Sequence, residues 1–307
     1  MRRRRFRCYL RFGYFYGPMA LRDFMDRLQA VFKSPDTCYP SHANPPSHST
    51  QKKFGQMPTL VLLRHGPTQW ARENRFAGWA DTSLSDTGVK AAKAAGKLLA
   101  KSDLSFDLAF TSMLGRAQDT LSIVAECMNL PGMVTVRDWR LNERHYGALQ
   151  GETRISMVQR HGNQKIVQWR RSFEAVPPPL EDDDPRWAEQ LARIPELPVA
   201  SHPRSESMAQ AADRAQQLWH ERIGPELREG KNILVVAHSS SIRGLVRIVE
   251  RLDEKATEEF MIATVIPRVY NMDNELRVTQ KADLKAGMPA NLRYWLNWLK
   301  PRGLGWV

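Results

Sequence analysis

Two short apolar runs, Leu60-Val61-Leu62-Leu63 and Ile233-Leu234-Val235-Val236-Ala237, each run into a histidine, His65 just past Arg64 and His238 directly. No other feature constrains the fold as strongly. Apolar stretches without polar alternation are strands buried on both faces, the condition of a parallel sheet covered by helices. If the two strands lie parallel in one sheet, both histidines arrive at its carboxyl edge, where open α/β sheets collect their ligands. Arg64 and Gly66 flank the first histidine. A neutral imidazole can attack phosphorus at physiological pH, a guanidinium can hold phosphoryl oxygens in a fork, and glycine lets a bulky anion approach the backbone.

The remaining pattern is α/β. A helix is expected from about Ser85 to Ala100, a strand over Leu108–Phe110 and a helix over Leu114–Met128, with Arg116 in its first turn beside amides that favour anions. A strand at Val134–Val136 precedes a polar, aperiodic stretch, Trp139–Gly151, which reads as a functional loop. Helices follow near Ile155–His161 and Lys165–Phe173, then a Pro-rich acidic loop from Val176 to Pro185. A helix over Ser205–Arg222 leads into the second histidine strand, and Ser241–Glu250 is again helical. Arg268–Met272 and Leu276–Gln280 read as a closing hairpin. These elements predict a three-layer sandwich with a mostly parallel central sheet flanked by helices.

Charge is unevenly distributed. Residues 1–56 hold 11 Lys or Arg against 3 Asp or Glu, so most of the net +12 belongs to that segment. The rest is mildly cationic, which suits small anionic substrates better than a nucleic acid duplex. Residues 1–56 are therefore expected to be a basic extension, disordered or a misassigned start upstream of Met57, with residues 57–307 forming the domain. Docking of that segment on RNA or an anionic membrane is the competing reading of a different class. Three cysteines, at 8, 38 and 127, show no paired or metal-ligand spacing, which points to a reducing compartment and to no metal. No run approaches the length of a membrane span.

His65 and His238 on one sheet edge could flank a single phosphoryl group, one as nucleophile and the other as a donor to its equatorial oxygens. Arg64 and Arg116 add the positive charge that magnesium supplies in many kinases. Glu143, on the irregular loop, is a candidate general acid and base. The bland alternatives are an Arg116–Asp119 pair at helical spacing, a surface Glu143–Arg144 pair, and Arg170-Arg171 as a solvated helix face.

Several motifs sharpen this. Arg64-His65-Gly66 followed by Gln69-Trp70, then Glu73-Asn74-Arg75-Phe76, Gly78-Trp79, Leu84-Ser85, Thr111-Ser112 with Arg116-Ala117, the unbroken Leu141–Gly151, Gln168-Trp169-Arg170-Arg171 and Ala237-His238 all occur in this order. With them, residues 58 to about 282 closely resemble the cofactor-dependent phosphoglycerate mutases of the histidine phosphatase superfamily. The resemblance implies a phosphoglycerate mutase-like fold and an isomerase of glycolysis and gluconeogenesis. It implies phosphorylated His65, Glu143 as proton donor and acceptor, and His238 as transition-state stabiliser. Arg64, Thr68, Ala77, Gly78, Arg116, Arg144, Tyr146, Arg154, Arg170, Arg171, Ser239 and Ser240 would hold substrate. It further implies 2,3-bisphosphoglycerate as primer, phosphoglycerates as the small-molecule partners, no nucleic acid or membrane partner, a cytoplasmic location and a homo-oligomer, dimer or tetramer. The alternative enzyme is a histidine phosphatase hydrolysing small phosphate monoesters, with water taking the group from His65. The chain departs from the family at Pro67-Thr68 (usually Glu-Ser), Ala71 (asparagine), Ala77 (threonine), Arg154 (lysine) and Ser239-Ser240 (Gly-Asn), and its Pro-rich loop is shortened. One neutral hydrogen bond lost in such a cradle is worth about 1 kcal/mol, enough to tune affinity without abolishing transfer.

Overall fold

In a computed structural model that describes residues 57–285, six strands form one sheet in the order β3-β2-β4-β1-β5-β6. They are β1 (Thr59–Arg64), β2 (Leu108–Thr111), β3 (Thr135–Arg137), β4 (Ile233–Ala237), β5 (Arg268–Met272) and β6 (Val278–Asp283). The first four are mutually parallel and β5 runs antiparallel to β1, so the sheet is mostly parallel as expected. Among the described residues, seven helices of eight or more residues accompany it: α1 (Asp86–Ala100), α2 (Gly115–Cys127), α3 (Arg154–His161), α4 (Asn163–Arg171), α5 (Pro185–Arg193), α6 (Met208–Leu218) and α7 (Ser239–Glu250). The expected basic extension, residues 1–56, and the end of the expected domain, 286–307, lie outside the described residues.

Strand alternation creates the three layers. Leu60, Leu62, Val235 and Ala237 pack in one cluster with Leu218 of α6 and Ile242, Leu245 and Val246 of α7. Val61, Leu63, Leu234 and Val236 pack in the other with Ala92, Ala95 and Leu99 of α1 and Leu121 and Val124 of α2. Both faces of β1 and β4 are thus buried, and each large aliphatic side chain so buried contributes about 1.5–3 kcal/mol. A smaller cluster of Phe76, Leu149, Met157 and Ile166 supports α3 and α4.

Some boundaries differ from the sequence reading. The helix expected from Ser205 starts at Met208, because Ser207 accepts from the Gln210 amide and Gln210 bonds back to it. It does not stop at Arg222 but runs through a π-helical turn, Trp219–Ile223, into Gly224–Arg228, the wide turn preceding Pro225, which has no N–H to donate. The second hairpin strand begins at Val278, not Leu276. Asp273 accepts from the amides of Glu275 and Arg277 and Leu276 adopts a left-handed conformation, which lengthens the turn. β3 likewise sits one residue later, at Thr135–Arg137. The Pro-rich loop is irregular only to Asp184, whose side chain caps α5 with Pro185 in the first turn. That helix was not anticipated.

Candidate active site

Register puts the two histidines together. Arg64 pairs with Ala237 across β1 and β4, so His65 and His238 follow at the same edge, and the His65 amide donates to the Ala237 carbonyl at 3.0 Å. Their ring centroids lie 4.8 Å apart. Nδ1 of His65 is 2.7 Å from the Gly66 carbonyl, which can only accept, so Nδ1 carries the proton and Nε2 presents its lone pair. A Cβ at Gly66 would meet the Gly88 carbonyl oxygen at 2.8 Å, which explains the glycine there. Burial, reinforced by Arg116 and Arg64, lowers His65 from 6.5 to about 3, keeping the imidazole neutral and nucleophilic.

His238 is fully buried. Its Nε2 lies 2.7 Å from Ser112 Oγ, at the end of β2, while Nδ1 has no partner among the described residues and is the nitrogen left to meet a ligand. Burial, with Arg116 and His65 adding to it, holds this ring well below its ordinary value as well.

The loop after β3 delivers Glu143. One carboxylate oxygen accepts from the amides of Arg144 (2.8 Å) and Ser240 (3.1 Å), the other from Ser239 (3.2 Å), so the group sits on the first turn of α7. Burial pushes its pKa up, but the Ser240 and Arg144 hydrogen bonds and the charges of Arg64 and Arg116 outweigh it, leaving the carboxyl at about 2 rather than 4.5. Glu143 is therefore ionised at rest. It is no surface ion pair: Arg144 is fully buried and turns away to Tyr146 Oη and the Arg170 carbonyl, each 3.1 Å away.

Arg116 does not reach Asp119 at all. Its guanidinium is buried and donates to the carbonyls of Gly78 (2.7 Å) and Ala80 (2.9 Å), which aim it at the histidine pair. Gly78 adopts a φ of +54°, and a Cβ there would lie 2.1 Å from Gln150 Oε1, the atom that accepts from the Trp79 amide. Thr68 caps the single turn Gln69–Arg72 through the Ala71 amide, leaving its own O–H free to donate, and Ala77 accepts from the Ala80 amide.

The other basic candidates sit on α3 and α4. Arg154 opens α3 and is exposed, Arg171 is exposed, and Arg170 is partly buried. Burial lowers Arg170, and among its neighbours Arg154, Arg171 and Arg144 lower it further. Among the described residues, none of Arg64, Arg116, Arg144, Arg154, Arg170 and Arg171 pairs with a carboxylate in a salt bridge. Positive charge concentrated in this way, and desolvated at Arg116, Arg144 and Arg170, calls for a polyanionic ligand.

Sequence reasoning missed three parts of the site. Ser112 stood in a quoted motif without a role. Arg243 on α7 is buried, reaches only the Met261 thioether at 3.5 Å, keeps Nε without a partner, and feels Glu143, Arg144 and Arg64. Nothing in its local charge pattern marks it. Arg214 and Glu206, far along the chain, bind the backbone around Glu143. Among the described residues no group of three or more His, Cys, Asp or Glu could hold a metal ion, and no helix is long and apolar enough to cross a membrane.

Residues 60–280 match the model of the histidine phosphatase superfamily, branch 1. A 2,3-bisphosphoglycerate-dependent phosphoglycerate mutase of Hamiltonella defensa is 41% identical over 218 residues, 71% of this chain and 88% of that protein. Among solved structures, a mycobacterial glucosyl-3-phosphoglycerate phosphatase with VO3 matches with a TM-score of 0.54 at 26% identity, covering 70% of this chain and 92% of that one. An α-ribazole-5′-P phosphatase described from Escherichia coli shares the fold, with a TM-score of 0.55 at 22% identity over 75% of this chain and 97% of that one.

Proposed function

The chain is an enzyme of the histidine phosphatase superfamily, branch 1, and from that premise we propose that it interconverts 3-phosphoglycerate and 2-phosphoglycerate through a phosphohistidine on His65. The observation that carries this reading is the pairing of His65 Nε2, freed by the Gly66 bond, with an ionised Glu143 and a set of arginines that, among the described residues, form no salt bridge to a carboxylate. On a His65 phosphorylated by 2,3-bisphosphoglycerate, the C2 hydroxyl of 3-phosphoglycerate gives its proton to Glu143 and attacks phosphorus. The P–N bond breaks as the new P–O bond forms, leaving 2,3-bisphosphoglycerate. His65 then attacks the other phosphoryl group, and the departing C3 oxygen takes the proton back from Glu143, releasing 2-phosphoglycerate.

The charge developed on the equatorial oxygens in each step meets Arg64, Arg116 and His238. With Ser112 donating to Nε2, His238 offers Nδ1–H to those oxygens. Thr68, Ala77, Gly78, Ser239 and Ser240 line the phosphoryl end, the last two through amides that now hold Glu143. Arg144, Tyr146, Arg154, Arg170 and Arg171 take the carboxylate and the second phosphate. A homo-oligomer in the cytoplasm completes the proposal.

Hydrolysis of small phosphate monoesters is the second reading, favoured by the phosphatase names of the structural neighbours. Incubating the enzyme with 3-phosphoglycerate and a trace of 2,3-bisphosphoglycerate decides between them. The mutase yields 2-phosphoglycerate, whereas inorganic phosphate released without any 2-phosphoglycerate overturns it.

A further inference from the structure

We infer that the buried Arg214–Glu206 pair is the device that positions Glu143 for proton transfer, an inference that rests on Glu143 serving as acid and base. The segment from Arg140 to His145 is mostly irregular, so its buried carbonyls cannot all be satisfied within one helix or strand. Arg214, on α6, supplies what is missing. Its Nη1 donates to the carbonyls of Arg140 (2.8 Å) and Asn142 (2.9 Å), and Nη2 donates to the carbonyl of Glu143 itself (2.9 Å).

Nε and Nη2 also bind the two oxygens of Glu206, at 2.7 and 2.9 Å, so all five N–H donors of the guanidinium are used. Glu206 in turn accepts the His145 amide at 2.8 Å, while its own amide donates to the His145 carbonyl at 2.9 Å. Both side chains are 5% exposed. The main chain is therefore gripped on both sides of Glu143, and Trp79 Nε1 adds a second donor to the Glu143 carbonyl at 2.6 Å. With its backbone held, Glu143 keeps only side-chain torsions with which to place its carboxylate.

A buried pair could exist for charge balance alone, but charge balance does not require a fork that meets three carbonyls of one loop. Lysine carries the charge without the fork. R214K therefore keeps the charge and loses the fork, whereas E206Q keeps the shape of the carboxylate and replaces one of the two oxygens that accept from Arg214 and the His145 amide.

The test compares two phosphoryl donors in single turnover at His65. A p-nitrophenyl ester releases an anion that needs no proton, whereas 2,3-bisphosphoglycerate must have its leaving oxygen protonated, by a Glu143 that takes up a proton as the polyanion binds beside it. R214K and E206Q should slow transfer from 2,3-bisphosphoglycerate roughly 10- to 100-fold, as a misplaced catalytic group does. Transfer from the p-nitrophenyl ester should change less than about threefold, and KM for 3-phosphoglycerate should stay within about threefold. E143Q serves as the reference and should show the same split, larger. R214K combined with E143Q should lose nothing beyond E143Q alone. A split in E143Q with equal loss on both donors in R214K and E206Q overturns the inference alone. A flat E143Q profile overturns the acid–base reading and this inference with it.

Discussion

The half of the site proposed to break bonds and the half proposed to hold anionic groups stand on different foundations. His65, His238, Glu143 and Arg116 project from strand ends, a helix start and a clamped loop, above the two main clusters of the sandwich. The polar atoms of His65, Glu143 and Arg116 are tied to backbone at 2.7–3.2 Å, and His238 Nε2 to Ser112 Oγ at 2.7 Å. Arg154, Arg170 and Arg171 stand on two short helices over a four-residue cluster, and two of the three are exposed. The difference follows from what each task demands. Phosphoryl transfer loses rate steeply with small displacements, whereas a guanidinium attracts a phosphate or carboxylate over a range of positions. Under the proposed function the rigid core carries the chemistry and the more lightly supported rim the choice of substrate.

His65→Ala should abolish the acid-labile phosphoenzyme formed from labelled 2,3-bisphosphoglycerate, and label surviving on the variant would remove the nucleophile from the rigid half. Glu143→Gln should slow transfer on the order of 10²- to 10⁴-fold with little change in KM, measured by steady-state kinetics. An unchanged kcat would show that the carboxylate only caps α7.

On the rim, Arg170→Ala should raise KM for 3-phosphoglycerate roughly 10- to 100-fold, the loss of one or two charge-assisted hydrogen bonds, with kcat within about threefold. If kcat falls instead, the division between the halves fails. Ile166→Ala, in the small cluster, should cost about 2–5 kcal/mol of local stability. Hydrogen exchange should then rise in α3 and α4 but not in β1 or β4. Uniform loss of protection would mean that one core supports both halves.

The smallest effect is on pH. The unfolded chain protonates His65 below its ordinary 6.5, and the fold refuses that proton until about 3, so stability present above pH 6.5 falls as the medium is acidified. The slope is at most about 1.4 kcal/mol per pH unit for this group. Glu143, lowered from 4.5 to about 2, adds loss of the same sign in that lower window. Urea midpoints at pH 7 and 5 should converge in His65→Ala relative to the unaltered protein, and identical shifts would contradict the buried neutral ring.

Much of the rigid half was legible in the residues. Buried strands announce themselves by unbroken apolar runs, and a histidine just past such a run must lie at the sheet edge. The loop carrying Glu143 was legible as an aperiodic polar stretch, and α1, α2 and α7 by their spacing. Less of the supporting shell was visible. Arg214 lies 71 residues from Glu143, Ser112 lies 126 from His238, and α5 was hidden behind a proline that opens it rather than ending the loop.

The layered α/β architecture, the two histidines at one edge and the excess of arginines were written in the chain alone, because periodicity, apolar runs and charge are local properties of the chain. It took packing in three dimensions to set Glu143 ionised on the first amides of α7, to aim Arg116 with Gly78 and Ala80, and to hold the loop between them with Arg214. Those arrangements depend on which buried carbonyls and amides remain unsatisfied once the elements have packed, and no local pattern of residues records that.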